Sequence, residues 1–145
     1  MISNVEELSL EGFQIVKSEM FLHLPHRAEP TCTIWPTKIS FSRMALRALN
    51  NCEFIRIEVN PDTKCLLVAP TPSTDKDSIR WIKGQKDPSC RNMESRIFGE
   101  EIYQAWGLDP KYNYRAAGRL VSARNKIMLL FDFHDAEMWK TKVKG

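Results

Sequence analysis

Apolar and polar positions along this chain fall into two blocks of one design, near residues 39–70 and again near 96–133. Each reads as a short strand, a compact amphipathic helix and a β-hairpin. In the helices, Phe41, Ala45, Ala48 and Leu49 correspond at one constant offset to Phe98, Ile102, Ala105 and Trp106. Apolar residues recurring every three or four positions give each helix one buried stripe. Both helices stop at residues suited to a left-handed C-terminal position, Asn50 with Asn51 in the first block and Gly107 in the second. In the first hairpin Ile55, Ile57 and Val59 share a face, and Asn60 to Thr63 supply turn chemistry before the apolar run Cys65 to Ala69. The second pairs Tyr114 to Val121 with Lys126 to Phe133 across Ser122 to Asn125. Matching the blocks needs a one-residue slip, Ile57 onto Leu120, because a slip exchanges the faces of a strand. A duplicated unit and two independent units of similar pattern both fit.

The expected architecture is one α+β domain over residues 1–145, an antiparallel sheet with two helices on one face. It resembles in outline the saddle of TATA-box-binding proteins, an analogy of fold alone. Residues 1–38 supply N-terminal strands, with strand-like stretches at Phe13 to Val16, Met20 to His23 and Cys32 to Trp35. Residues 39–70 and 96–133 form the two repeats, 71–95 a long basic loop, and 134–145 a C-terminal tail. A chain of 145 residues buries enough surface to fold without staples. Its cysteines, Cys32, Cys52, Cys65 and Cys90, are widely spaced, and Cys65 sits in an apolar strand pattern. Reduced thiols and a cytoplasmic location are expected. The acidic start lacks a signal-peptide pattern, and no apolar run approaches the ~20 residues that cross a bilayer.

Charge adds the first functional hint. The net charge is +3, yet residues 1–31 hold five acids against two bases, so the body is basic. Between Lys111 and Lys126 stand Arg115, Arg119 and Arg124 with no acid. On a strand, Arg115 and Arg119 project from one face, with Tyr112 and Tyr114 close by and the small residues Ala116 and Gly118 turned to a helix. Such a stripe suits phosphate and base contacts, and it also suits a solvated face. The 71–95 loop surrounds Trp81 with Arg80, Lys83 and other cations, offset by Asp75, Asp77, Asp87 and Glu94. Trp81 either stacks on a base or tucks against the body.

Catalytic chemistry finds little support in the residue pattern. His23 and His26 flank Pro25 with no third ligand indicated. His134, Asp135 and Glu137 resemble a cation or acid-base trio, but also fit a strand entering a helical turn capped by Asp135, with Trp139 on the core. Gly-rich phosphate loops and a Gly-x-Ser-x-Gly elbow are missing from the sequence. The other aromatic residues, Trp35 among them, fit core packing. No cofactor or metal is expected.

The strings at 18–24, 29–35, 51–61, 96–98 and 106–115 resemble uncharacterised proteins of bacterial mobile elements, some labelled integrase or integrase regulator. That resemblance implies a genomic setting rather than a mechanism. A tyrosine recombinase would need a His-x-x-Arg pair. Here the third residue after His23, His26 and His134 is His26, Glu29 and Glu137. The expected function is therefore a non-catalytic DNA-binding accessory or regulatory protein of a mobile genetic element, contacting DNA through Lys111, Tyr112, Arg115, Arg119, Arg124 and Lys126, with Arg80, Trp81 and Lys83 as a second contact. The alternative is a protein-interaction module or homodimer that binds no nucleic acid.

Overall fold

The computed structural model describes residues 5–17 and 29–140. Two antiparallel hairpins form the middle of the structure. Strand β3 (Phe54–Asn60) pairs with β4 (Cys65–Pro70), and β9 (Tyr112–Ala123) with β10 (Lys126–Asp132). The first turn is held by the Asn60 side chain, which accepts from the amides of Asp62 and Thr63, and by Lys64 in the left-handed region. The second is tighter: Arg124 and Asn125 both have positive φ, the conformation of a two-residue hairpin turn whose twist matches its strands. The hairpins join through β4 and β10, with Val68 opposite Leu129.

Around them β1 (Thr31–Trp35) pairs with β9 and β2 (Lys38–Phe41), and β2 with β8 (Met93–Glu94). At the other end β5 (Ile79–Arg80) adds to β3, and β11 (Glu137–Lys140) lies beside β9. The order is β5-β3-β4-β10-β9-β1-β2-β8. Within 71–95, β6 (Ile82–Lys83) and β7 (Ser89–Cys90) make a separate small ladder.

Strand takes 42 % of the described residues and helix only 14 %, so the helices cannot cover a sheet face; the sheet instead curls into a half-barrel of eight to nine strands. The expected sheet with two helices on one face, and the saddle comparison with it, is thus corrected. Helix α1 (Arg43–Ala48) packs against β1 and β7, and helix α2 (Arg96–Trp106) against β2. Ala48 and Leu49 border a hollow with Pro70, Leu120 and Ile127, whereas Trp106 donates to the Asn60 carbonyl and packs on Phe133. Both helices end as expected, with Asn50, Asn51 and Gly107 at positive φ. Their buried stripes differ by a residue or two from expectation: Ala45 and Leu46 in α1; Gly99, Ile102, Tyr103 and Trp106 in α2.

The core fills the concave side, where Phe41 meets Trp81 edge-on at 5.4 Å and Phe131 at 5.6 Å. Gly118 faces Phe131 across the β9–β10 pair, and a Cβ there would lie 2.5 Å from the ring. The small residue therefore makes room for an aromatic side chain rather than for a helix. Three other expectations change. Phe13 to Val16 is irregular and exposed, 71–95 contains four short strands, and Glu137–Lys140 is an edge strand instead of a helical turn. Met20 to His23 lies outside the described residues.

Candidate nucleic-acid interface

Alternation along β9 divides its side chains between the two faces of the sheet. Tyr114 and Ala116 enter the core, so Asn113, Arg115, Ala117 and Arg119 project from the convex outer face. Arg115 and Arg119 therefore share a face, four residues or about 13 Å apart along the strand. The same parity places Tyr112 on the concave side, where its carbonyl accepts from the Tyr103 hydroxyl at 2.7 Å. Tyr112 does not stand beside the arginines.

Strand pairing brings to this face residues that sequence distance hides. Arg115 lies between Thr33 on β1 and Glu137 on β11, and its guanidinium bonds Glu137 at 2.6 Å while stacking 5.5 Å from the Trp139 ring centroid. Trp139 is paired with Asn113, itself only 3 % exposed. On β1, Cys32 and Ile34 point into the core, which turns Trp35 outward, and Lys38 covers its ring at 4.3 Å. Two tryptophans, each under a cation, thus flank the buried Asn113 on adjacent strands. Sequence reasoning placed both in the core. The signal was present in β1, because strict alternation from Cys32 and Ile34 puts Trp35 on the other face.

The acid-free stretch is not acid-free in space. Arg124 reaches from the hairpin turn to Glu58 of β3 at 3.1 Å, and Glu58 also meets Arg56. On the same convex side Ala69 and Met128, each one residue along its strand from the Val68–Leu129 pair, are buried. Arg119, Lys111 and Lys126 are exposed. Exposed ion pairs such as Arg115–Glu137 and Arg124–Glu58 contribute about 0–1 kcal/mol, so a phosphate oxygen can replace either carboxylate at small cost.

The second expected contact separates into unlike parts. Trp81 is fully buried, donates to the Cys52 carbonyl at 2.7 Å and packs on Phe41, leaving neither face for a base. It is the core anchor of its segment. Arg80 is exposed and paired with Glu53 at 3.1 Å, and Lys83 is exposed within the small ladder, opposite Ser89.

His134, Asp135 and Glu137 do not converge, since Glu137 holds Arg115 while His134 lies 3.2 Å from the Thr63 carbonyl. His23 and His26 lie outside the described residues. The four cysteines are free thiols. Burial pushes the Cys32 thiol well up, and burial with Cys52 nearby pushes Cys90 up to about 12. Groups so reluctant to ionise are poor nucleophiles. Among the described residues no helix is long and apolar enough to cross a membrane. Comparison with protein-family models, curated proteins and solved structures finds no match for this chain.

Proposed function

We propose that this protein binds nucleic acid without catalysis, in an accessory or regulatory capacity and in the cytoplasm, through the convex face of β1, β9 and β11. Single-stranded DNA is the form that the face suits best. The observation that supports this is the grouping of Trp35, Trp139, Arg115 and Lys38 on one sheet surface, with Arg119 further along the same strand. Aromatic rings on a sheet stack bases of any sequence, and flanking cations follow the backbone. Arg124, Lys111 and Lys126 extend the positive field, while Trp81 plays no part in contact.

The test is fluorescence anisotropy with labelled single-stranded and duplex oligonucleotides at graded salt, using the wild type and Arg115→Glu/Arg119→Glu. Arg119 is exposed and the Arg115 side chain is 38 % exposed, and circular dichroism establishes that the variant is folded before its binding is read. Affinity should fall steeply with salt, and the variant should bind at least tenfold more weakly with a salt slope lower by about one to two. Absence of binding at low salt, or equal binding by the folded variant, refutes the proposal. One observation favours a protein partner: β11 is an exposed edge carrying Met138. A dimer that survives high salt and is lost with Met138→Lys would support that reading.

A further inference from the structure

The half-barrel leaves a seam where its two ends approach. On one side β5 pairs only Phe54 and Ile55 of β3, so Arg56–Asn60 form a sheet edge there. On the other, β8 pairs only Lys38 and Ile39 of β2. Between them lies a cavity of about 440 Å³ whose apolar wall is Ile39, Ile57, Val59, Ile79, Met93 and Phe98. Its volume is in the range of sites that bury a ligand or a few side chains.

The same chain carries a segment with the complementary pattern. In residues 5–17, Val5, Leu8, Leu10, Phe13, Ile15 and Val16 are between 63 % and 92 % exposed. So much apolar surface on so short a stretch marks a binding element. A turn is already formed at its middle: the Phe13 amide donates to the Leu10 carbonyl at 3.1 Å, and Gly12 has φ +88°. Extending both arms as a hairpin sets Leu10 opposite Phe13 and Leu8 opposite Ile15. Period-two alternation then gathers those four on one face and puts Ser9 and Gln14 on the other. That is the pattern of a strand pair packed against a core, and an open sheet edge beside an apolar cavity is what such a pair covers.

We infer that residues 5–16 dock on the seam of their own chain as an amphipathic hairpin, with Leu8, Leu10, Phe13 and Ile15 on the cavity and one arm along the edge of β3. The connection reaches. Twelve residue steps from Lys17 to Glu29 span up to about 40 Å, whereas β1 lies only two strand spacings, about 10 Å, from β8. Tethering also gives the segment an effective concentration in the millimolar range, which favours the chain's own seam over that of a second copy.

Hydrogen–deuterium exchange on the full chain tests this, comparing the wild type with Phe13→Ser/Ile15→Ser and, from the seam side, Val59→Glu. All three positions are exposed, so the variants fold. Peptides covering residues 13–16 and 55–60 should be protected in monomeric wild type independently of concentration. Each variant should exchange at least tenfold faster in both peptides and unchanged in β4 and β10. Equal exchange in wild type and variants overturns the inference. Protection that grows with concentration and accompanies a dimer overturns it too, in favour of a second copy.

Discussion

Gly99 is the residue at which the packing of α2 can be tested most sharply. A Cβ at this position would lie 1.8 Å from the Pro36 carbonyl oxygen and 2.5 Å from its carbon, both backbone atoms of the β1–β2 turn. Relief to ordinary contact requires the first turn of α2 to retreat by about 1.5 Å. That retreat strains the hydrogen bond that the Ser95 N–H donates to the Thr37 carbonyl, now 2.8 Å, and loosens the buried Ile102 and the half-buried Phe98. Overpacking of this kind costs about 1–3 kcal/mol and a weakened hydrogen bond about 1. Opposing it, alanine is a better helix residue than glycine by about 1 kcal/mol. Steric cost wins, and Gly99→Ala should lose about 2 kcal/mol in urea unfolding monitored by circular dichroism. Glu100→Ala, one position along the same helix and exposed, should change stability by less than about 0.5 kcal/mol. If Gly99→Ala were as stable as the wild type, the described contact between α2 and the β1–β2 turn would be wrong.

Three further outcomes follow from the core. Gly118→Ala should destabilise by about 1–3 kcal/mol, seen as a lower urea midpoint, because its Cβ meets the buried Phe131 ring at 2.5 Å. Trp81→Phe keeps an aromatic ring but strands the Cys52 carbonyl, so about 1–3 kcal/mol should be lost with no change in oligonucleotide affinity. The thiols give a pH dependence. Cys32 and Cys90 keep their protons in the folded state above the ordinary value of 9.0, while the unfolded chain loses them. Their contribution is complete below pH 9 and is lost as pH rises towards 12, so urea midpoints should fall across that window. Cys32→Ala should flatten the curve, because burial is what holds the proton on this thiol.

The hairpins were legible in the chain because their turn residues and alternation act locally, and the same holds for Asn50, Asn51 and Gly107 at the helix ends. The curl was not legible. It follows from which strands become neighbours, and nothing near β1 in sequence announces that β9 is its partner. The candidate site divides along the same line. Arg115 and Arg119 share a face because they are four apart on one strand, a local fact. Glu137 and Glu58 reach Arg115 and Arg124 only through pairing over 22 and 66 residues, so the stripe looked uncompensated. Trp81 was ambiguous because its neighbours in sequence are charged, whereas its neighbours in space are Phe41 and the Cys52 carbonyl.

Stacking of nucleic acid on the convex face is read by tryptophan fluorescence during titration with an unlabelled single-stranded oligonucleotide. Trp81 and Trp106 are only 0 % and 2 % exposed, so a change on binding reports Trp35 and Trp139, the latter 37 % exposed. Stacking should give saturable quenching that is largely lost in Trp139→Ala, with affinity weakened by about 1–3 kcal/mol. Binding seen by anisotropy with no change in fluorescence would contradict it.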